Sequence, residues 1–140
     1  MDYRAVTSDR EFLLSPAHGA DLLDEVQSFA ADHDVEAAWF SGMGAVQDAD
    51  LRYYDQDDFE YHTVSFEEPL GIAALVGNVA SQDETLVVHA HAVLARPSGQ
   101  AIAGHLDRAT VFSGEYYLRT FEEPLERESD PTTDLDAWAL

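Results

Sequence analysis

Leu22, Leu23, Val26, Phe29 and Ala30 recur at the spacing of one helical face, and Asp21, Asp24, Glu25 and Asp32 fill the other side. The pattern predicts an amphipathic helix from about Gly19 to Asp32. Acids in its first turn suit the positive end of the helix dipole. The other periodic segments repeat every two residues, as strands do. Arg4 to Leu14 alternates loosely and stops before Pro16. Glu36 to Ser41 is apolar, and Val46 to Tyr54 carries Ala49, Leu51 and Tyr53 on one parity. Glu60 to Phe66 alternates around His62, Val64 and Phe66. Gly71 to Val79 is almost wholly apolar, which predicts a central strand. Thr85 to Ala95 and Gln100 to His105 flank Arg96-Pro97-Ser98-Gly99, a hairpin turn signal, and Ala109 to Phe121 follows. From Glu122 the tail is acidic, but it ends in Leu135, Trp138 and Leu140 and is expected to dock on a surface. One early helix and about seven strands give an α+β class with a largely antiparallel sheet. No linker, repeat or low-complexity tract interrupts residues 1–140, which are read as a single domain.

Charge changes this picture more than composition does. There are 28 acids against 7 bases, a net charge of -21, and every base is arginine. Such a surface repels phosphate and anionic lipid, which argues against unaided binding to nucleic acid or a membrane surface. The acids run along the whole chain, from Asp2 through Asp48 and Asp83 to Asp134, whereas a dedicated patch for a cationic partner would be concentrated. We therefore read them as adaptation to a salt-rich cytoplasm, where the Debye length falls to about 3 Å and self-repulsion is screened. Cysteine is absent, which excludes disulfides, zinc thiolates and redox thiols. No signal-peptide pattern opens the sequence and no apolar run approaches the ~20 residues of a membrane span, so a soluble cytoplasmic protein is expected.

The most informative chemistry lies in Leu86-Val87-Val88-His89-Ala90-His91-Ala92-Val93-Leu94. Alternation places Val87, His89, His91 and Val93 on one face and Leu86, Val88, Ala90, Ala92 and Leu94 on the other. The hairpin brings a third ring. With a three-residue loop, Pro97-Ser98-Gly99, His91 faces His105 directly; a two-residue loop would put His105 opposite Ala90, on the wrong face. Three neutral imidazoles make a tetrahedral zinc site with an open position, although nickel, copper or iron also accept such ligands. The bland alternative is a set of polar residues on a half-exposed strand. His18, His33 and His62 have no comparable partners and are read as ordinary histidines.

Weaker signals fail on context. Gly42-Met43-Gly44-Ala45-Val46 lacks the third fingerprint glycine, since Gln47 stands there, and no helix follows; a tight bend is expected instead. Glu67-Glu68 and Asp57-Asp58 are adjacent, so on strands they point to opposite faces and make no acid–base dyad. Ser41 and Ser113 lack a nucleophile-elbow setting.

The ordered pieces Ser41-Gly42-Met43-Gly44-Ala45-Val46, Ala49-Asp50-Leu51, Tyr53-Tyr54-Asp55, Glu68-Pro69-Leu70, Leu75-Val76-Gly77-Asn78-Val79, His89-Ala90-His91 and Gly104-His105-Leu106 cover nearly the whole chain. With the closing Leu135 to Trp138, this set resembles the plants-and-prokaryotes-conserved (PPC) domain of prokaryotic, archaeal type. The resemblance implies an α+β fold, a homotrimer and a metal held by the histidines here numbered His89, His91 and His105. It also brings a DNA-binding label, but the basic Arg-Gly-Arg-Pro hook of plant relatives is missing here. Two positions depart from the pattern: Ala103 replaces the first glycine of Gly-Gly-His, and Gly71 stands where Leu-Glu-Ile carries a carboxylate.

The expected function is a homotrimeric metal-binding module of regulatory or small-ligand type, with zinc as the expected ion. A DNA-associated regulator is the first alternative. A zinc-dependent hydrolase or lyase is the second; a cupin-like site is excluded because Val93, Leu94, Ala95 and Arg96 offer no glutamate after His91. The salt reading makes one direct prediction. The unfolding midpoint should rise as KCl is raised from dilute buffer to molar concentration; a salt-independent midpoint would sink it.

Overall fold

The computed structural model describes residues 1–140. Its elements run β1 (Ser8–Leu14), α1 (Leu22–Asp32), β2 (Ala38–Asp55), β3 (Glu60–Phe66), β4 (Leu70–Gln82), β5 (Thr85–Ala95), β6 (Ala101–Phe121), β7 (Arg127–Asp130) and β8 (Leu135–Trp138). All pairs of named strands are antiparallel. The α+β class with a largely antiparallel sheet is therefore the observed one. The sheet order is β1-β6-β5-β4-β2-β3, and β6 also pairs with β2. The pairings β2–β4, β4–β5, β5–β6 and β6–β2 thus close a ring, which removes most exposed edges. No helix is long and apolar enough to cross a membrane.

The helix begins at Leu22 rather than Gly19 because Asp21 caps it. The Asp21 carboxylate accepts from the backbone N–H groups of Leu23 and Asp24, at 2.9 and 3.1 Å, and its other oxygen accepts from Ala109 N–H at 3.1 Å. One side chain therefore starts α1 and ties it to β6. Leu22, Val26 and Ala30 enter the core, where they join Phe40, Leu75, Leu94, Leu106 and Leu118.

Two strands are longer than their sequence pattern. Glu36–Ser41 and Val46–Tyr54 belong to one 18-residue strand, β2, and Gln100–His105 and Ala109–Phe121 belong to one 21-residue strand, β6. The Gly42-Met43-Gly44 segment does not end a strand. It carries a register shift against β4 and lies across β6, with Gly42 opposite Tyr116 and Gly44 opposite Gly114. A Cβ on Gly42 would stand 2.2 Å from Tyr116 Cδ1, so glycine here makes room for a ring.

β4 is central, flanked by β2 and β5, as its apolar run implied. Its second face is covered only in part, however: Asn78 and Ala80 are buried beneath the tail, while Val76 on the same face is 44% exposed. The tail docks. Leu125 packs with Ala37, Ala80 and Phe121, its carbonyl accepts from Ser81 N–H at 2.8 Å, and Tyr54 donates to the Thr133 carbonyl at 2.6 Å.

Gly42→Ala forces Tyr116 or β6 to move and should cost about 1–3 kcal/mol, the usual range for overpacking. Gly71→Ala is the contrast, because the nearest atom to its added Cβ is 3.9 Å away. That variant should be neutral or more stable by under about 1 kcal/mol. Urea unfolding of the two checks the order, and equal effects would show that the Tyr116 contact is not limiting.

Candidate metal centre

The hairpin between β5 and β6 decides which side chains meet. Pro97, Ser98 and Gly99 form the loop, closed by Arg96 N–H donating to the Gln100 carbonyl at 2.9 Å and Gly99 N–H donating to the Arg96 carbonyl at 2.8 Å. Gly99 has φ 83°, a left-handed conformation that favours glycine. Ala95 pairs with Ala101 and, four residues farther from the turn along each strand, His91 pairs with His105. This is the three-residue register. Ala90, Ala92 and Leu94 turn into the core, and His89, His91 and Val93 turn outward.

The three rings converge. Their centroids lie 5.2 Å apart for His89–His91, 4.9 Å for His89–His105 and 5.5 Å for His91–His105. One ring nitrogen from each lies within 4.8 Å of the others. His91 is exposed; His89 and His105 are half-buried. Gly104 serves β2 rather than the site, since a Cβ there would stand 3.1 Å from the Arg52 carbonyl. Gly71, the position of the missing carboxylate, sits between Ala45 and Ala95 at the far end of β4, while His91 pairs with Val76. The substitution therefore does not alter the histidine cluster.

Two arginines frame the cluster. Arg127, from β7, donates to His89 Nδ1 and to Asn78 Oδ1, each at 2.9 Å, and to the Asp136 carbonyl at 2.8 Å. Arg52, from β2, is paired with Asp107 and lies over the Tyr61 ring, 5.2 Å from its centroid. Tyr61 in turn lies 5.5 Å from the His105 ring. Arg52, Tyr61, His89, His105 and Arg127, with Gln82, Asp134, Leu135 and Asp136, line a cleft of about 350 Å³. Burial pulls the His89 pKa down to about 4, helped by the Arg127 charge. Burial acts likewise on His105, also about 4, helped by Arg52. Both rings are held neutral, the form that ligates metals. His105 Nδ1 is buried without a hydrogen-bond partner, and no carboxylate or thiol competes within the set. The donor set thus fits a borderline divalent ion.

The other histidines have different surroundings. His18 Nδ1 lies 2.9 Å from the Phe112 carbonyl, and His33 stacks on Phe29 with centroids 4.2 Å apart. His62 is less isolated than its sequence context suggested: it stacks on Tyr53, lies 3.6 Å from Asp58 and gathers with Asp55 at the exposed β2–β3 hairpin. Nothing in the sequence tied Arg127 or Asn78 to the histidines, because the Arg127–His89 and Arg127–Asn78 contacts cross 38 and 49 residues of chain.

The chain resembles proteins of known structure over its full length. A metal-containing protein from Archaeoglobus fulgidus is 34% identical with a TM-score of 0.95, covering 100% of both chains. A plant- and prokaryote-conserved protein from Pyrococcus horikoshii is 26% identical with a TM-score of 0.94, covering 100% of this chain and 98% of that one. A protein from Ralstonia eutropha JMP134, described provisionally as DNA-binding, is 25% identical with a TM-score of 0.83, covering 91% and 90%. No curated protein matches in sequence. The model of the Plants and Prokaryotes Conserved domain matches residues 3–122, and the chain belongs to that family.

Proposed function

We propose that this chain is a metal-binding module that assembles as a homotrimer, with His89, His91 and His105 as the ligands and zinc as the ion. The observation that carries the reading is the convergence of three imidazole nitrogens within 4.8 Å. The Archaeoglobus fulgidus relative, described as metal-containing, supports it. A divalent ion on three neutral imidazoles supplies a Lewis-acidic position open to a small ligand. No carboxylate hydrogen-bonds any of the three rings, so the relay that orients a catalytic imidazole is not built here. That favours ligand binding over hydrolysis or lyase chemistry.

Self-association is supported by the uncovered side of the sheet. Trp39, Met43, Val76 and Val93 are 43%, 60%, 44% and 37% exposed, and exposed His91 pairs with Val76. DNA binding finds less support. Arg10, Arg52, Arg96, Arg108 and Arg119 are each paired with a carboxylate, which leaves no basic face for phosphates.

Zinc titrated into untagged, metal-free protein at pH 7.5 should saturate at one ion per chain. His105→Ala should weaken binding more than about 100-fold, beyond the effect of losing an outer partner. Protein that stays metal-free would overturn the reading. Sedimentation equilibrium of the same preparation in molar KCl should give the mass of three chains, and a monomer at all concentrations would refute the trimer.

Acid provides a separate check on the metal-free form. His89 and His105 titrate near 4 when folded and near 6.5 when unfolded. Between those values the unfolded chain binds more protons, so stability falls as pH drops from about 6.5 towards 4. The urea midpoint should decline between pH 7 and 5, and decline less in a His89→Gln/His105→Gln variant. Parallel profiles would show that these rings are not held neutral by the fold.

A further inference from the structure

Arg127 is an unusual cation for so acidic a chain. With 28 acids available, it has no carboxylate within ion-pair distance, whereas five of the other arginines do. The remaining one, Arg4, is exposed and donates to the Pro124 carbonyl. Arg127 is half-buried, and neutral acceptors hold it: Asn78 Oδ1, His89 Nδ1 and the Asp136 carbonyl. Its Nε–H is buried with no acceptor, and so is that of Arg52 across the same cleft. The Asp136 carboxylate attracts it only from beyond ion-pair distance. A half-buried cation whose direct partners are all neutral is costly, and structures rarely keep one without use.

The hydrogen bond to His89 sharpens the point. A guanidinium only donates, so His89 Nδ1 is the acceptor and the proton of the neutral ring sits on Nε2. In that state His89 has no free lone pair. If Nδ1 becomes a ligand, it must leave Arg127. If Nε2 becomes the ligand, its proton moves to Nδ1, which then faces Arg127 donor to donor. By either route the Arg127–His89 bond is lost as His89 joins a metal. A guanidinium donor is then free beside a centre that has gained two positive charges and no negative ligand.

We propose that the cleft binds a small oxyanion, a carboxylate or phosphate, together with the metal, and that Arg127 is its recognition residue. This rests on the metal reading of the same histidines. The anion accepts from the Arg127 N–H released by His89 and offsets the charge of the ion. Arg52 and Tyr61 line the opposite wall, and a volume of about 350 Å³ suits a small molecule rather than a chain. Asp134 and Asp136 share the lining, so the cleft disfavours ligands of high negative charge, and the ion and Arg127 must outweigh these two carboxylates for a small anion to bind.

Cobalt(II)-loaded protein gives a test with an optical readout. Acetate and inorganic phosphate are titrated separately at constant chloride while the cobalt absorption bands are followed. A saturable change with at least one anion is expected, and the anion that acts distinguishes carboxylate from phosphate. Arg127→Gln should weaken the response at least tenfold while one cobalt per chain still binds, with equal or higher metal affinity because a competitor for His89 is gone. Arg127→Lys keeps the charge without the fork and should be intermediate; Arg119→Gln, outside the cleft, should match the parent. Thermal unfolding confirms that each variant is folded. Cobalt binding without any response to either anion, or an unchanged response in Arg127→Gln, overturns the proposal. Failure of cobalt to bind overturns the metal reading, and this one with it.

Discussion

Between Ala95 and Ala101 the chain reverses over Pro97, Ser98 and Gly99, and the length of that loop sets the register of β5 on β6. Strand side chains alternate, so a slip of one residue exchanges the two faces entirely. In the observed register, Ala90, Ala92 and Leu94 are buried and His91 stands opposite His105. One residue fewer in the loop would turn His105 inward and bring a neighbour of the wrong character into the cluster. Core packing and the histidine cluster are therefore consequences of the same backbone geometry. Gly99 makes it attainable by adopting φ 83° without a Cβ penalty.

Around this hairpin the rest of the structure acts as scaffold and roof. The ring of β2, β4, β5 and β6 fixes the strands that carry the histidines and Arg52. Asp21 anchors α1 to β6 on the buried side, leaving the opposite face of β5 free for the rings. The tail closes the cleft by bringing Arg127, Asp134 and Asp136 over it. The low pKa of His89 reflects this closure, since burial and the Arg127 charge act together. Three elements far apart in sequence thus set the protonation of one ring.

Local pattern carried much of the fold and of the histidine cluster into the sequence. The period of two along β5 and the turn residues of the hairpin are local facts, and they sufficed to place His89, His91 and His105 together. What pattern did not show was non-local. Gly42-Met43-Gly44 reads as a break because glycine weakens a strand, yet pairing with Tyr116 and Gly114 of β6 carries β2 through it. Likewise, the apolar run of β4 looks like a strand buried on both faces, but nothing in one chain covers Val76. Arg127 sits in an acidic tail with no periodicity, and only the tertiary structure gives it a role. The Asp21 cap was masked by the many acids near it, any of which suits a helix start.

The contact between Trp39 and Trp138 has a practical consequence. The chain contains only two tryptophans, and their rings meet edge to face at 6.5 Å, one on β2 and the other at the end of β8. The indole signal of the whole protein therefore originates at the seam between sheet and tail, on the same hairpin that delivers Arg127. Fluorescence of the unmodified chain is a built-in gauge of whether that seam is shut, readable without a label.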